Sequence, residues 1–227
     1  MPFASMERSS WPRGSGEVAP SVPRIGVREC VVPATDLVPE RIMDAVVACV
    51  ERVGLSGFAL EDVAAEAGVG RATIYRHFPG GRGQLIRETV TREVGRFWQA
   101  LAQDVERDPT LEDRLVHGLM SANQRLADHE LLQRLLAAEP QEILSALMTS
   151  EPIVDVLLRE YLRGLLVGQH MAPGVDIDEA ADYLGRMVLA HIGSPGRWDT
   201  GDPGQVRRLV RTQFLGGILA AEGTPTG

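Results

Sequence analysis

Between residues 69 and 78 the chain carries side chains whose types and spacing suit an anionic partner. Ile74 and Phe78 lie four residues apart, so in a helix they share one face and can pack together. The rest of such a helix is too polar for a core, because it carries guanidinium, hydroxyl and imidazole groups. The exposed residues predicted to contact the partner are Arg71, Ala72, Thr73, Tyr75, Arg76 and His77.

The residues before this stretch predict a second helix closely connected to it. Val63, Ala64 and Ala67 share a helical face, and Gly68 follows where a helix commonly ends in the left-handed conformation. A helix, a short glycine-containing turn and a polar second helix are typical of a helix-turn-helix, whose second helix enters the DNA major groove. Taken alone, the pattern also fits a small amphipathic helix whose basic face is solvated.

A longer amphipathic helix precedes this pair. Pro39 suits its first turn, and Gly54 ends it. From Arg41 onward its apolar residues recur at spacings of three and four, which indicates about four helical turns with one buried face. These apolar residues are Ile42, Ala45, Val46, Cys49, Val50 and Val53.

The segment from Arg41 to Thr91 resembles the DNA-binding domain of the TetR family of bacterial one-component regulators. The resemblance rests on short motifs in a fixed order, which are Gly57-Phe58, Ala64-Ala65, Ala67-Gly68-Val69 and Thr73-Ile74-Tyr75-Arg76-His77-Phe78. It implies an all-α fold. In that fold an N-terminal three-helix DNA-binding domain with a helix-turn-helix is followed by a C-terminal helical ligand-binding and dimerisation domain.

Two positions depart from the family pattern. The family usually has Ser or Thr at the start of the second helix and of the recognition helix, where this chain has Ala59 and Gly70. Replacing a capping hydroxyl by Ala costs about 0.5 to 2 kcal/mol, whereas Gly loses only a few tenths. We therefore expect a poor cap at Ala59, an acceptable one at Gly70, and fewer hydroxyl contacts to DNA phosphates.

The net charge of −8 argues against DNA binding, but the distribution of the charges favours it. The segment from Gly70 to Arg92 contains five arginines and one glutamate, so a basic segment would be joined to an acidic remainder of the chain. All 23 cationic residues are Arg. The absence of Lys excludes a Walker A nucleotide site and a pyridoxal phosphate Schiff base.

The remaining chain has helical patterns throughout and no strand pattern. A helix of about 25 residues, ending before Pro109, is expected to link the DNA-binding domain over 37–84, which we call the head, to the helical domain over 85–222, which we call the body. Its predicted apolar stripe comprises Ile86, Val90, Val94, Phe97, Leu101 and Val105. Near the end, Asp176 is a good cap for one helix, and a final helix carries Val206 through Ile218. By resemblance, these last two helices would form a homodimer by pairing with their copies in a second subunit.

Other kinds of site find no support in the sequence. The five histidines have no metal-ligand spacing, no nucleophile elbow occurs, and the two cysteines form no paired motif. We expect neither catalysis, metal nor cofactor. No apolar run is long enough for a membrane helix and no signal peptide is visible, so the sequence predicts a cytoplasmic protein.

These patterns predict four regions: a disordered extension over 1–36, the DNA-binding domain over 37–84, the helical ligand-binding and dimerisation domain over 85–222, and a tail over 223–227. By resemblance, a ligand pocket lies among the helices of the larger domain. Its specific ligand residues cannot be assigned, because aromatic and Met residues at helical spacing usually belong to a core. The residues considered are Phe97, Trp98, His117, Met120, Met148, Tyr161, Met187 and Trp198.

The resemblance implies a transcriptional regulator, most often a repressor, that leaves its double-stranded DNA operator when a small apolar or amphipathic effector binds. Thr73, Tyr75, Arg76 and His77 would contact bases and phosphates, while Arg71 and Arg82 would contact phosphates. Because the two recognition helices of a dimer enter successive major grooves, the operator would be an inverted repeat. The alternative is a helical ligand-binding or scaffolding protein whose helix-turn-helix no longer reads DNA.

Overall fold

The structure, a computed structural model, describes residues 37–148 and 151–220. The predicted extension over 1–36 and tail over 223–227 lie outside the described residues. The all-α prediction is confirmed, since within the described ranges the chain forms helices and a single isolated bridge between Met171 and Leu219. The helices are α1 (Leu37–Val53), α2 (Leu60–Ala67), α3 (Arg71–His77), α4 (Gly81–Val105), α5 (Leu111–Asp128), α6 (Glu130–Ala138), α7 (Pro140–Met148), α8 (Glu151–Leu166), α9 (Ile177–His191) and α10 (Pro203–Leu209).

The first three helices form where the sequence predicts them, except that Val53, predicted on the buried face of α1, lies at its last turn and is 54% exposed. Gly54 follows α1 with φ 84° and Gly68 follows α2 with φ 63°, a backbone conformation that costs glycine little. Ile74 and Phe78 are almost completely buried, at 0% and 1% exposure, beneath the two preceding helices. The polar side of α3 therefore points away from the core.

The start of α2 is better capped than Ala59 suggests. Ala59 has no side-chain acceptor, but its backbone N–H donates to Asp62 Oδ2 at 2.8 Å. Asp62 occupies the third helical position, so this contact is one half of a capping box. The three-residue spacing between Ala59 and Asp62 is the feature of the sequence from which this contact could have been predicted.

The long helix α4 has 25 residues, as predicted, but its predicted apolar stripe is only partly confirmed. Leu101 and Val105 are buried, whereas Ile86, Val90, Val94 and Phe97 are only half-buried. The buried residues are Gly81, Leu85, Thr89, Leu101 and Val105. Because α4 packs on three different helices, α1, α5 and α7, its contact face changes along its length and is not one straight stripe.

The body has its own apolar core, built chiefly from α5, α8, α9 and α10. Leu162, Leu184 and Phe214 are at most 2% exposed within it. Asp176 caps α9 as predicted, because its Oδ1 accepts from the N–H groups of Asp178 and Glu179 at 2.8 and 3.1 Å. Within the described ranges no helix combines the length and apolar character needed to cross a bilayer.

The last helix differs from the prediction. It is α-helical only from Pro203 to Leu209, continues as a π-helical turn over Val210–Phe214, and stops near Gly217, which has φ 84°. The residues of its predicted apolar face are buried within the same subunit, with Val206 and Phe214 both at 0% exposure. This helix therefore presents no free apolar face to a second subunit.

Candidate nucleic-acid interface

The connection between α2 and α3 is a tight turn. Gly68 N–H donates to Ala65 O at 3.3 Å and Val69 N–H to Ala64 O at 3.0 Å, which satisfies carbonyls at the end of α2. Gly70 then caps α3, as its carbonyl accepts from Thr73 N–H at 2.9 Å. The turn fixes the direction of α3 relative to α2, as a helix-turn-helix requires.

The polar residues predicted on α3 form one accessible surface, which we call the recognition face. It comprises Arg71, Ala72, Tyr75 and Arg76, which are exposed, and Thr73 and His77, which are half-buried. Tyr75 is 44% exposed although it is a large aromatic residue. The Arg76 Nη2 atom lies 3.4 Å from His77 Nε2. The structure thus brings all six predicted residues of α3 together.

Arg71 already has an anionic partner inside the chain. Its Nη1 atom lies 2.6 Å from Glu61 Oε1 on α2, and both side chains are 56% exposed. A surface pair of this kind contributes about 0 to 1 kcal/mol, because water screens both charges. A phosphate group can therefore compete for Arg71 at small cost.

Arg82 has a different environment from the one the sequence predicts. Its Nε and Nη2 atoms donate to Phe58 O at 3.2 Å and Leu55 O at 2.5 Å. Its guanidinium carbon also lies 4.5 Å from the centroid of the Phe58 ring. Arg82 therefore holds the backbone between α1 and α2, a role that sequence reasoning missed because its partners lie more than 20 positions away.

The body carries a wide cleft of about 840 Å³ between α4, α5 and the loop at Thr200 and Gly201. Three of the residues considered for a ligand pocket line it: Phe97, His117 and Met120. The others do not: Trp98, Tyr161, Met187 and Trp198 pack against the body core, and Met148 is 68% exposed. Burial raises the pKa of Tyr161 above its ordinary value.

Exposed apolar residues are concentrated on α8. Ile153, Val156 and Leu157 are 50%, 48% and 55% exposed, so half of each side chain faces solvent in the single subunit. On α9, Tyr183 is 42% exposed. Large apolar residues grouped on one helix face are typical of a protein–protein contact.

Comparison with known proteins agrees with this geometry. Residues 42–89 match the family model described as "Bacterial regulatory proteins, tetR family". Over 76 residues the chain is 34% identical to the HTH-type transcriptional repressor DrrR1 of Streptomyces coeruleorubidus, and the alignment covers 32% of this chain but only 28% of that protein's length.

Two solved structures share the fold over most of the chain. The TetR-family transcriptional repressor QsdR of R. erythropolis has a TM-score of 0.57 at 18% identity, covering 84% of this chain and 100% of that one. A protein described as a TetR-family transcriptional regulator of Mesorhizobium loti has a TM-score of 0.54 at 18% identity, covering 80% and 96%. At such identities the likeness establishes the fold: an N-terminal helix-turn-helix domain followed by a helical domain.

Proposed function

We propose that this chain, whose residues 42–89 match the family model of the tetR bacterial regulatory proteins, is a DNA-binding transcriptional regulator that acts as a repressor, as its named relative does. The observation that carries the proposal is the recognition face. The stretch over 71–78 buries Ile74 and Phe78 almost completely and leaves a basic, hydroxyl-bearing surface on a short helix after a tight turn.

The recognition face has the chemistry for both kinds of DNA contact. Arg76 and His77 can donate to guanine acceptors or to phosphates, Thr73 and Tyr75 to phosphates or base edges, and the Ala72 methyl can pack on a thymine methyl. Arg71 would exchange Glu61 for a phosphate. We leave Arg82 out of this set, because its guanidinium is engaged by two backbone carbonyls.

We propose that two copies act together on an inverted-repeat operator, with recognition helices about 34 Å apart in successive major grooves. Burial of the last helix moves the proposed dimer contact to the exposed faces of α8 and α9. Leu157→Glu would place a charge in that contact and is expected to yield monomers in sedimentation experiments. Val53→Glu is the matched control, since Val53 is 54% exposed but lies on α1 in the head; equal behaviour of the two variants would refute the assignment.

The cleft between α4 and α5 is the proposed effector site. Phe97, Ala100 and Met120 supply apolar surface, while Ser121 and Gln124 supply hydrogen-bonding groups, so the site suits a small amphipathic molecule. An effector bound there would contact and displace α4, which also contacts α1 in the head. The proposed outcome is a shift between dimer states with different spacing of the recognition helices. We place this action in the cytoplasm and propose no catalytic step.

The salt dependence of binding tests whether the helix-turn-helix contacts DNA. With genuine phosphate contacts, the logarithm of the binding constant falls with the logarithm of salt at a slope of about −0.9 per phosphate. Arg71→Ala should make this slope smaller by about one. Arg107→Ala, an exposed change in the loop after α4, should leave it unchanged. Flat salt dependence of the wild type would favour a helix-turn-helix that no longer reads DNA.

A further inference from the structure

The turn between α1 and α2 is held on its amide side by a carboxylate from the body. Glu139, the residue between α6 and α7, accepts from Leu55 N–H at 2.8 Å and from Ser56 N–H at 2.7 Å. The two amides lie more than 80 residues earlier in the chain. Hydrogen bonds from a backbone N–H to a carboxylate are among the stronger ones in proteins.

The same turn is held on its carbonyl side by a cation from α4. Arg82 donates to Leu55 O and Phe58 O and covers the Phe58 ring. The peptide groups of one short turn are therefore bound by a carboxylate and a guanidinium from two different elements. We call this arrangement the turn clasp, defined by Glu139, Arg82 and the turn residues Leu55–Phe58.

The backbone before the turn is shaped for the clasp. Gly54 has φ 84°, and a Cβ atom added there would overlap the Glu139 carboxylate. Only glycine combines this conformation with the space that the carboxylate occupies. The position thus serves both to end α1 and to admit Glu139.

The clasp lies within a wider contact between the head and the α6–α7 corner. Leu135 and Ile143, which flank Glu139, are 6% and 5% exposed and belong to the same apolar core as α1, α2 and α3. Arg134 donates to Glu51 O near the end of α1 at 3.0 Å. The head is therefore attached to the body at the α6–α7 corner as well as through α4.

We propose that Glu139 and Arg82 are positioning residues for operator binding, and that the turn clasp sets the orientation of the helix-turn-helix relative to the body. α2 begins at Leu60, two residues after the clasped turn, so a displacement of the α6–α7 corner is passed directly to the start of the helix-turn-helix. This inference rests on the proposed function. It adds a second attachment through which the body controls the spacing of the two recognition helices.

The test compares a full inverted-repeat site with a single half-site, after the wild-type chain has been footprinted on the DNA upstream of its own gene. If the heads have the wrong orientation, two heads no longer bind the full site together at its fixed spacing, but a single head still binds one half-site. Damage to the helix-turn-helix itself weakens the affinity for the full site and for the half-site equally. The ratio of the two dissociation constants therefore separates a positioning role from a merely structural one.

Glu139→Ala removes both acceptors, and Glu139→Gln keeps one of them, so a graded effect is expected. The full-site dissociation constant should rise roughly tenfold for Glu139→Ala and less for Glu139→Gln, while the half-site value stays within about twofold. Glu142→Gln is the matched control: Glu142 lines the crevice beside the turn, and within the described residues no hydrogen bond joins it to Leu55–Phe58. Circular dichroism verifies that each variant is folded at the temperature of the titration.

Three results would overturn the proposal: an unchanged full-site constant, an equal loss on full site and half-site, or the same change in Glu142→Gln. A wild-type chain that binds its upstream DNA no better than a scrambled fragment would instead refute the proposed function. Because the wild-type titration comes first, the two failures are distinguishable.

Discussion

Replacing Arg92 by Ala should weaken the attachment of α4 to the head. Arg92 Nη1 lies 3.0 Å from Glu40 Oε2 and 2.9 Å from Asp44 Oδ1, both on α1, and Nη2 lies 2.7 Å from Glu93 Oε1. Nη1 also donates to the Glu40 backbone carbonyl at 3.1 Å. The Arg92 side chain is only 11% exposed, so this one cation joins three carboxylates in a largely covered position.

The size of the expected loss in stability follows from the exposure of the three carboxylates that contact Arg92. Hydrogen bonds to charged groups contribute about 1.5 to 3 kcal/mol each, but the three carboxylates are 41 to 59% exposed and regain water when the cation is removed. Loss of the whole cluster should therefore lower the free energy of unfolding by about 2 kcal/mol. For a chain of this size, that corresponds to a fall in Tm of about 4 to 8 °C.

Thermal unfolding followed by circular dichroism at neutral pH and physiological salt measures this effect. Arg87→Ala is the matched control on the same helix, because Arg87 is exposed and should change the free energy of unfolding by no more than about 0.5 kcal/mol. High salt should reduce the difference between wild type and Arg92→Ala, since the ion pairs are partly solvated. If Arg92→Ala lowers Tm by no more than Arg87→Ala does, the assigned role of the cluster is wrong.

Three further results are expected. Tyr75→Ala should weaken operator binding roughly tenfold, about 1.4 kcal/mol, with little change in Tm; unchanged affinity at equal salt would refute the placement of the recognition face. Arg82→Lys keeps the charge but loses the fork that reaches two carbonyls, so thermal unfolding should show a loss of about 1 to 2 kcal/mol, whereas a purely phosphate-binding Arg82 would leave stability unchanged. Although burial raises the pKa of Glu112, hydrogen bonds from Arg211 and Arg207 outweigh it and leave that pKa below the ordinary 4.5. The ionised Glu112 carboxylate therefore stabilises the fold above pH 4.5, and this stabilisation is lost as pH falls through the lowered pKa. In urea unfolding, Glu112→Gln should be less stable than wild type at neutral pH, and the difference should shrink in acid.

The local elements of the head were predictable because their signals are local. Gly54 and Gly68 end helices because glycine tolerates the left-handed backbone conformation. The four-residue spacing of Ile74 and Phe78 identifies the buried side of α3 from a short segment of sequence. The recognition face then follows by exclusion, since the remaining positions of α3 are polar apart from the small Ala72. These inferences require no knowledge of what lies elsewhere in the chain.

The turn clasp and the last helix could not be predicted in the same way. Glu139 meets the backbone of Leu55 across 84 positions, and nothing near Glu139 in the sequence indicates that contact. The apolar residues from Val206 to Phe214 correctly marked a buried face, but periodicity does not reveal whether the covering surface belongs to the same subunit or to a second one. Such tertiary partners decide which face remains free.

The most direct test of the central claim is a fluorescence-anisotropy titration of the wild-type protein. The DNA is the intergenic fragment upstream of its own gene, with a scrambled fragment of equal length as the control, at one fixed physiological salt concentration. We predict a preference for the native fragment of roughly several-hundred-fold or more, as expected of a specific regulator. Equal, weak binding to both fragments would contradict the claim that this helix-turn-helix reads an operator in its own upstream DNA.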